Sequence, residues 1–124
     1  MLIIAYKNCS TCQKALRFLN EQGFAYTFRD IKTQRPSVEE LQEFVAKSGL
    51  PLKKLFNTSG KLYKQFNLKD KLPTMSEKEI YELLASDGLL LKRPLLILEH
   101  KVLVGFKETE WLAAIRKEIH EISN

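Results

Sequence analysis

Apolar and polar positions follow different periods in successive stretches of the chain, and each change of period marks a new element. Leu2 to Tyr6 is a short apolar run with β-branched residues at its centre, the pattern of a buried strand, and it ends at the polar turn Lys7, Asn8, Cys9 and Ser10. From Thr11 the apolar residues recur at helical spacing, with Ala15, Leu16, Phe18 and Leu19 facing inward, until Gly23 closes the helix. Phe24 to Arg29 then alternates as a second strand. Strand, helix and strand in this order predict a parallel pair joined by a right-handed crossover.

The middle of the chain reads as helical. Ser37 followed three residues later by Glu40 is a capping box, with Leu41, Phe44 and Val45 as the buried stripe of a helix that stops at Gly49 and Pro51. Ser76 and Glu79 form a second box, ahead of a helix with Ile80, Leu83 and Leu84 inside and an end near Gly88. Between them, Leu52 to Leu68 reads as short helical pieces joined at the turn Asn57-Thr58-Ser59-Gly60. Leu95 to Leu98 and Val102 to Val104 form an antiparallel hairpin around Glu99-His100-Lys101, with Pro94 tolerated only at its first residue. Trp111, Leu112, Ile115 and Ile119 share one face of a final helix whose start carries Glu108 and Glu110.

This order predicts an α/β fold: a four-stranded mixed sheet flanked by helices, with a helical insert at about residues 37–87 of one domain spanning 1–124. The 124 residues, 44% of them hydrophobic, suffice for one core. No apolar run reaches the length of a membrane span, and the start MLIIAYKNCS has no basic segment ahead of its apolar stretch, so a cytoplasmic location is expected. The formal net charge of +5 is spread among acids along most of the chain rather than gathered into one long basic block. That pattern favours a solvated surface, and with no recognition motif present no direct nucleic-acid binding is expected.

Two cysteines three positions apart close too short a loop to staple a fold, so their use is chemical. In Cys9-Ser10-Thr11-Cys12 the first strand hands over to the first helix, which places Cys9 among the free N–H groups and partial positive charge of a helix N-terminus. A thiol in that position ionises below its ordinary pKa of about 8.5 and becomes a nucleophile, with Cys12 in the first turn able to resolve a mixed disulfide. Such a cycle needs no organic cofactor. A zinc site would need four ligands, and His100 and His120 lack the spacing to complete one. The two histidines read as surface residues and Trp111 as core. Lys7, Asn8, Ser10 and Thr11 border the thiol loop and are candidates for tuning it or contacting an anion, as is Asn57 in the later turn.

Lys92-Arg93-Pro94 is the second feature. An X-Pro bond can be cis; the order of elements resembles the thioredoxin-like architecture, and that resemblance implies that the residue before the proline faces the active thiol. Arg93 is thus a candidate to stabilise the Cys9 thiolate or bind a substrate oxyanion, with Pro94 beside it.

On YKNCSTCQKA, KLFNTSGKLYKQFNLKDKLPTMSEKE and LLLKRPLLILEHKVLVGF, nearly end to end, the chain resembles the ArsC-like family, thioredoxin-like proteins that include glutaredoxin-coupled arsenate reductases and the Spx and MgsR regulators. The resemblance implies a thiol-dependent oxidoreductase with Cys9 as nucleophile, Cys12 resolving and Arg93 in the site. Its reductant would be glutaredoxin, thioredoxin or a low-molecular-weight thiol. Arsenate reductases of the family surround the oxyanion with three arginines, of which only Arg93 has a match; Asn57 or a neighbour stands at one position, and Gly105 and Phe106 stand around another. The Spx likeness implies an alternative, a redox-sensing regulator that binds the C-terminal domain of the RNA polymerase α chain.

Overall fold

The computed structural model describes residues 1–123. Its contacts divide the chain into two units, Met1–Arg29 with the C-terminal part from Arg93, and Asp30–Lys92.

The first unit holds strands β1 (Leu2–Ala5), β2 (Thr27–Asp30, whose last residue opens the second unit), β3 (Leu95–Ile97) and β4 (Val102–Val104), in the sheet order β2-β1-β3-β4. β1 pairs antiparallel with β3, Ile3 opposite Leu96, and β3 pairs antiparallel with β4, Leu96 opposite Leu103. The sheet is mixed, as the order of elements predicts. Helix α1 (Ser10–Glu21) and helix α6 (Glu108–Ser123) also belong to this unit. Alternate strand residues, Ile3 and Ala5 on β1 and Leu96 on β3, form one buried cluster with Cys12, Ala15 and Leu19 of α1 and Trp111 and Ile115 of α6. Ile4 and Leu95 are buried as well, which explains why β1 and β3 read as continuous apolar runs rather than alternating ones.

Three expectations shift. β2 starts at Thr27, not Phe24, because Gly23 and Phe24 terminate α1: Gly23 takes a positive φ of 72° while its N–H bonds to the Asn20 carbonyl and that of Phe24 to Leu19. On α6, Ile119 is 46% exposed although Trp111 and Ile115 are buried, so the apolar stripe outruns the sheet it covers. In the second unit Tyr81 rather than Leu83 is buried beside Ile80 and Leu84.

The second unit contains α2 (Val38–Ser48), α3 (Lys61–Gln65), α4 (Leu68–Lys71) and α5 (Glu77–Ser86), with 3-10 turns at Leu52–Leu55, Leu72–Thr74 and Gly88–Leu90. Both capping boxes form: Ser37 Oγ accepts from Glu40 N–H at 3.1 Å and Ser76 Oγ from Glu79 N–H at 3.2 Å, with each glutamate returning the bond. No helix among the described residues is long and apolar enough to cross a membrane.

Candidate active site

The thiol loop is built by β1 ending and α1 beginning within five residues. Cys9 N–H donates to the Tyr6 carbonyl at 3.0 Å and Gln13 N–H to the Cys9 carbonyl at 3.0 Å, so a tight turn delivers the chain straight into the helix. The Gln13 side chain reaches back from α1 to the Lys7 carbonyl at 2.8 Å and closes the loop from the other side. Cys9 is the N-cap, in extended conformation. Its sulfur therefore stands where α1 presents unpaired amides.

Cys9 is partly exposed and Cys12 is wholly buried, and neither is in a disulfide. Partial burial opposes ionisation of Cys9, but hydrogen bonds from the Cys12 backbone amide and thiol, the positive charge of Arg93 and the Thr11 amide together outweigh it, and its pKa is lowered. For Cys12 the balance is reversed. Burial is the largest cause and, with the hydrogen bond to Cys9 and the Cys9 charge, pushes it up to about 12, against the opposing hydrogen bond from the Tyr6 amide and the charge of Arg93. Of the two thiols, Cys9 is the one whose ionisation is favoured.

Arg93 precedes Pro94 across a cis peptide bond and lies over the Tyr6 ring, 5.6 Å from guanidinium carbon to centroid, with its Nε buried. Pro94 is buried and its carbonyl accepts from Gly105 N–H at 2.8 Å, so the β3–β4 hairpin anchors the segment that carries Arg93.

Cys9, Cys12, Arg93 and Thr11 thus act together in the first unit, with Pro94 next to Arg93 across the cis bond, while the remaining candidates divide. Thr11 acts through its backbone amide rather than its exposed hydroxyl. Ser10 is exposed in the first turn of α1. Asn8 directs its amide to the Tyr6 hydroxyl at 3.3 Å, and Lys7 sets its ammonium 5.6 Å from the centre of the Phe28 ring, so neither side chain is among the groups acting on Cys9. Asn57 belongs to the second unit, where its N–H donates to the Leu90 carbonyl at 2.8 Å.

The family model for the ArsC family matches residues 5–114, nearly the whole chain and both units. The chain belongs to the ArsC family. YusI of Bacillus subtilis, itself uncharacterised, is 54% identical over 106 residues, covering 86% of this chain and 90% of that protein. The global transcriptional regulator Spx of Staphylococcus saprophyticus is 27% identical over 104 residues, covering 83% of this chain and 77% of the regulator. Among solved structures, a possible arsenate reductase from Streptococcus mutans superposes with a TM-score of 0.82 at 42% identity, covering 90% of this chain and 96% of that one. The ArsC family therefore supplies relatives named both as reductases and as regulators.

Two further residues of the candidate site were not singled out from the sequence. Tyr6 supplies the ring beneath Arg93 and the amide that faces Cys12, and Gln13 ties the thiol loop to α1. Tyr6 gave a signal, a polar-tipped aromatic at the last position of the first apolar run, three residues before Cys9. Gln13 gave none, because a glutamine in an exposed helical position is ordinarily solvated.

Proposed function

We propose that this ArsC-family protein is a thiol–disulfide oxidoreductase in which Cys9 attacks and Cys12 resolves. The observation that carries the reading is the opposed ionisation of the two thiols: one partly exposed and acidified, the other buried and held protonated beside it.

In the first step the Cys9 thiolate attacks one sulfur of a substrate disulfide. A Cys9–substrate disulfide forms, the substrate S–S bond breaks, and the other half leaves as a thiolate that takes a proton from solvent. Once Cys9 is in a mixed disulfide it carries no charge and no longer accepts the Cys12 thiol proton. Two of the effects that raised Cys12 thereby vanish, while Arg93 still favours its ionisation. Cys12 then loses its proton to solvent and attacks the Cys9 sulfur, releasing the second substrate thiolate and leaving a Cys9–Cys12 disulfide. An external dithiol, or two equivalents of a small thiol, reduces that disulfide with two electrons. The cycle uses no organic cofactor.

A glutathione mixed disulfide tests this directly. Wild type is expected to turn over with a thiol reductant, whereas Cys12→Ser is expected to accumulate, by intact mass, one glutathionyl group on Cys9. Turnover by Cys9→Ser, or Cys12→Ser that never acquires the adduct, contradicts the reading.

The similarity to Spx supports a second reading, a redox switch that contacts the α chain of RNA polymerase. Absence of turnover with both a glutathione mixed disulfide and arsenate selects it, when joined by capture of the purified C-terminal domain of that α chain in a manner that depends on the oxidation state of the two cysteines. Arsenate reduction itself is disfavoured by the single matched arginine, because charge-assisted donors supply much of the hold on an oxyanion.

A further inference from the structure

The chain's formal excess of five positive charges has a single source. Between residues 51 and 75 stand Lys53, Lys54, Lys61, Lys64, Lys69 and Lys71 against one acid, Asp70, and the rest of the sequence is balanced. Two of these lysines, Lys53 and Lys54, line a cavity of about 230 Å³ in the second unit together with Lys92, Asn57, Thr58, Ser59 and Phe56. No carboxylate lines it. Lys47 and Lys78 of the same unit are paired with acids, with Glu43 at 2.9 Å and Glu82 at 3.9 Å, whereas among the described residues the three lysines at the cavity form no ion pair.

The cavity is held by backbone. Phe56 and Leu91 pair as an antiparallel bridge, Lys92 N–H donates to the Leu55 carbonyl at 2.7 Å and Asn57 N–H to Leu90 at 2.8 Å, so Lys92 is pinned beside the turn that carries Lys53 and Lys54. Gly60 allows the Asn57 amide to fold close, since a Cβ there would stand 2.7 Å from Asn57 Nδ2. The Thr58 and Ser59 hydroxyls make no hydrogen bond among the described residues, which leaves two neutral donors beside three cations. Phe56, 2% exposed, is the apolar floor. Ammonium groups gathered around one concavity repel each other, and an anion in their midst relieves that repulsion while the hydroxyls orient it.

We propose that this cavity binds the oxyanion group, phosphoryl or carboxylate, of a small ligand. Its volume lies below the usual range of roughly 300–1,000 Å³ for whole-ligand pockets and suits an anionic headgroup. The lining residues include no cysteine, so the proposal involves no redox step and its test reads binding alone.

Thermal unfolding of the full chain with inorganic pyrophosphate and with citrate, each against sodium chloride at equal ionic strength, tests it. A ligand that binds only the folded state raises the melting temperature in a saturable way. At least one of the two anions is expected to do so beyond the salt control, and which one does separates a phosphoryl from a carboxylate source. The triple variant Lys53→Ser, Lys54→Ser, Lys92→Ser is expected to bind it at least about tenfold more weakly. Lys32→Ser with Lys107→Ser, which removes exposed charge elsewhere, is expected to bind within about twofold of wild type. The amide NMR signals of Thr58, Ser59 and Gly60 should move on titration. No stabilisation beyond salt by either anion, or stabilisation that survives the triple variant, overturns the proposal.

Discussion

Serine in place of Cys9 is expected to slow iodoacetamide alkylation of the native protein at pH 7 by roughly a thousandfold or more, and to abolish disulfide turnover. The magnitude follows from what Cys12 can offer in its absence. Cys12 is wholly buried and its pKa is pushed up to about 12, largely by that burial. Five units above the working pH, its ionised fraction is on the order of 10⁻⁵. Losing the Cys9 charge lowers that pKa somewhat, but the desolvation that dominates it remains, and reagent still has no path to the sulfur. The reverse change, Cys12→Ser, should leave alkylation within about tenfold of wild type, since a serine hydroxyl can still donate to the Cys9 sulfur. Quantifying adducts by peptide mass spectrometry separates the two positions. Comparable labelling of Cys9→Ser and wild type would mean that the accessible nucleophile had been misassigned.

Trp111→Ala is expected to cost about 3–5 kcal/mol of stability, measured by urea denaturation. Trp111 is 1% exposed, its ring meets Phe106 edge-on with centroids 4.9 Å apart, and its Nε1–H donates to the Gly105 carbonyl at 3.0 Å. Truncation removes the largest side chain of the cluster that also encloses Cys12, Ala15 and Leu19, and leaves that carbonyl without its donor. Against a total of about 5–15 kcal/mol for a typical domain, this is a large fraction. Trp111→Phe retains most of the volume and should cost clearly less than alanine. A loss under about 1 kcal/mol for Trp111→Ala would show that α6 contributes little to the core.

Legibility from sequence followed the range of the interactions involved. The two capping boxes are closed within four residues, so Ser37 with Glu40 and Ser76 with Glu79 announced α2 and α5 correctly. The hairpin was readable because turn residues separate two apolar runs, and the start of α1 because Cys9 stands where the period changes. The β2 boundary was misplaced because Phe24, an apolar residue fit for a strand, is used by the helix stop. Ile119 continues the α6 spacing faithfully, and only the extent of the sheet decides that it stays exposed. The presence of a thiol site was local information; its electrostatics were not. Arg93 stands 84 positions from Cys9 in the chain, and its placement was inferred from the family resemblance and the X-Pro pair, whereas the Tyr6 ring beneath it was inferred from nothing.

The rate of Cys9 alkylation as a function of pH tests the central claim most directly. A lowered pKa means that thiolate is already present at lower pH, so the rate should rise to a plateau with its inflection clearly below the ordinary value of about 8.5. Arg93→Ala, which removes the charge that favours that thiolate alongside its hydrogen bonds, should move the inflection upward. An inflection at or above about 8.5 in the wild-type protein, unmoved by Arg93→Ala, would contradict the account.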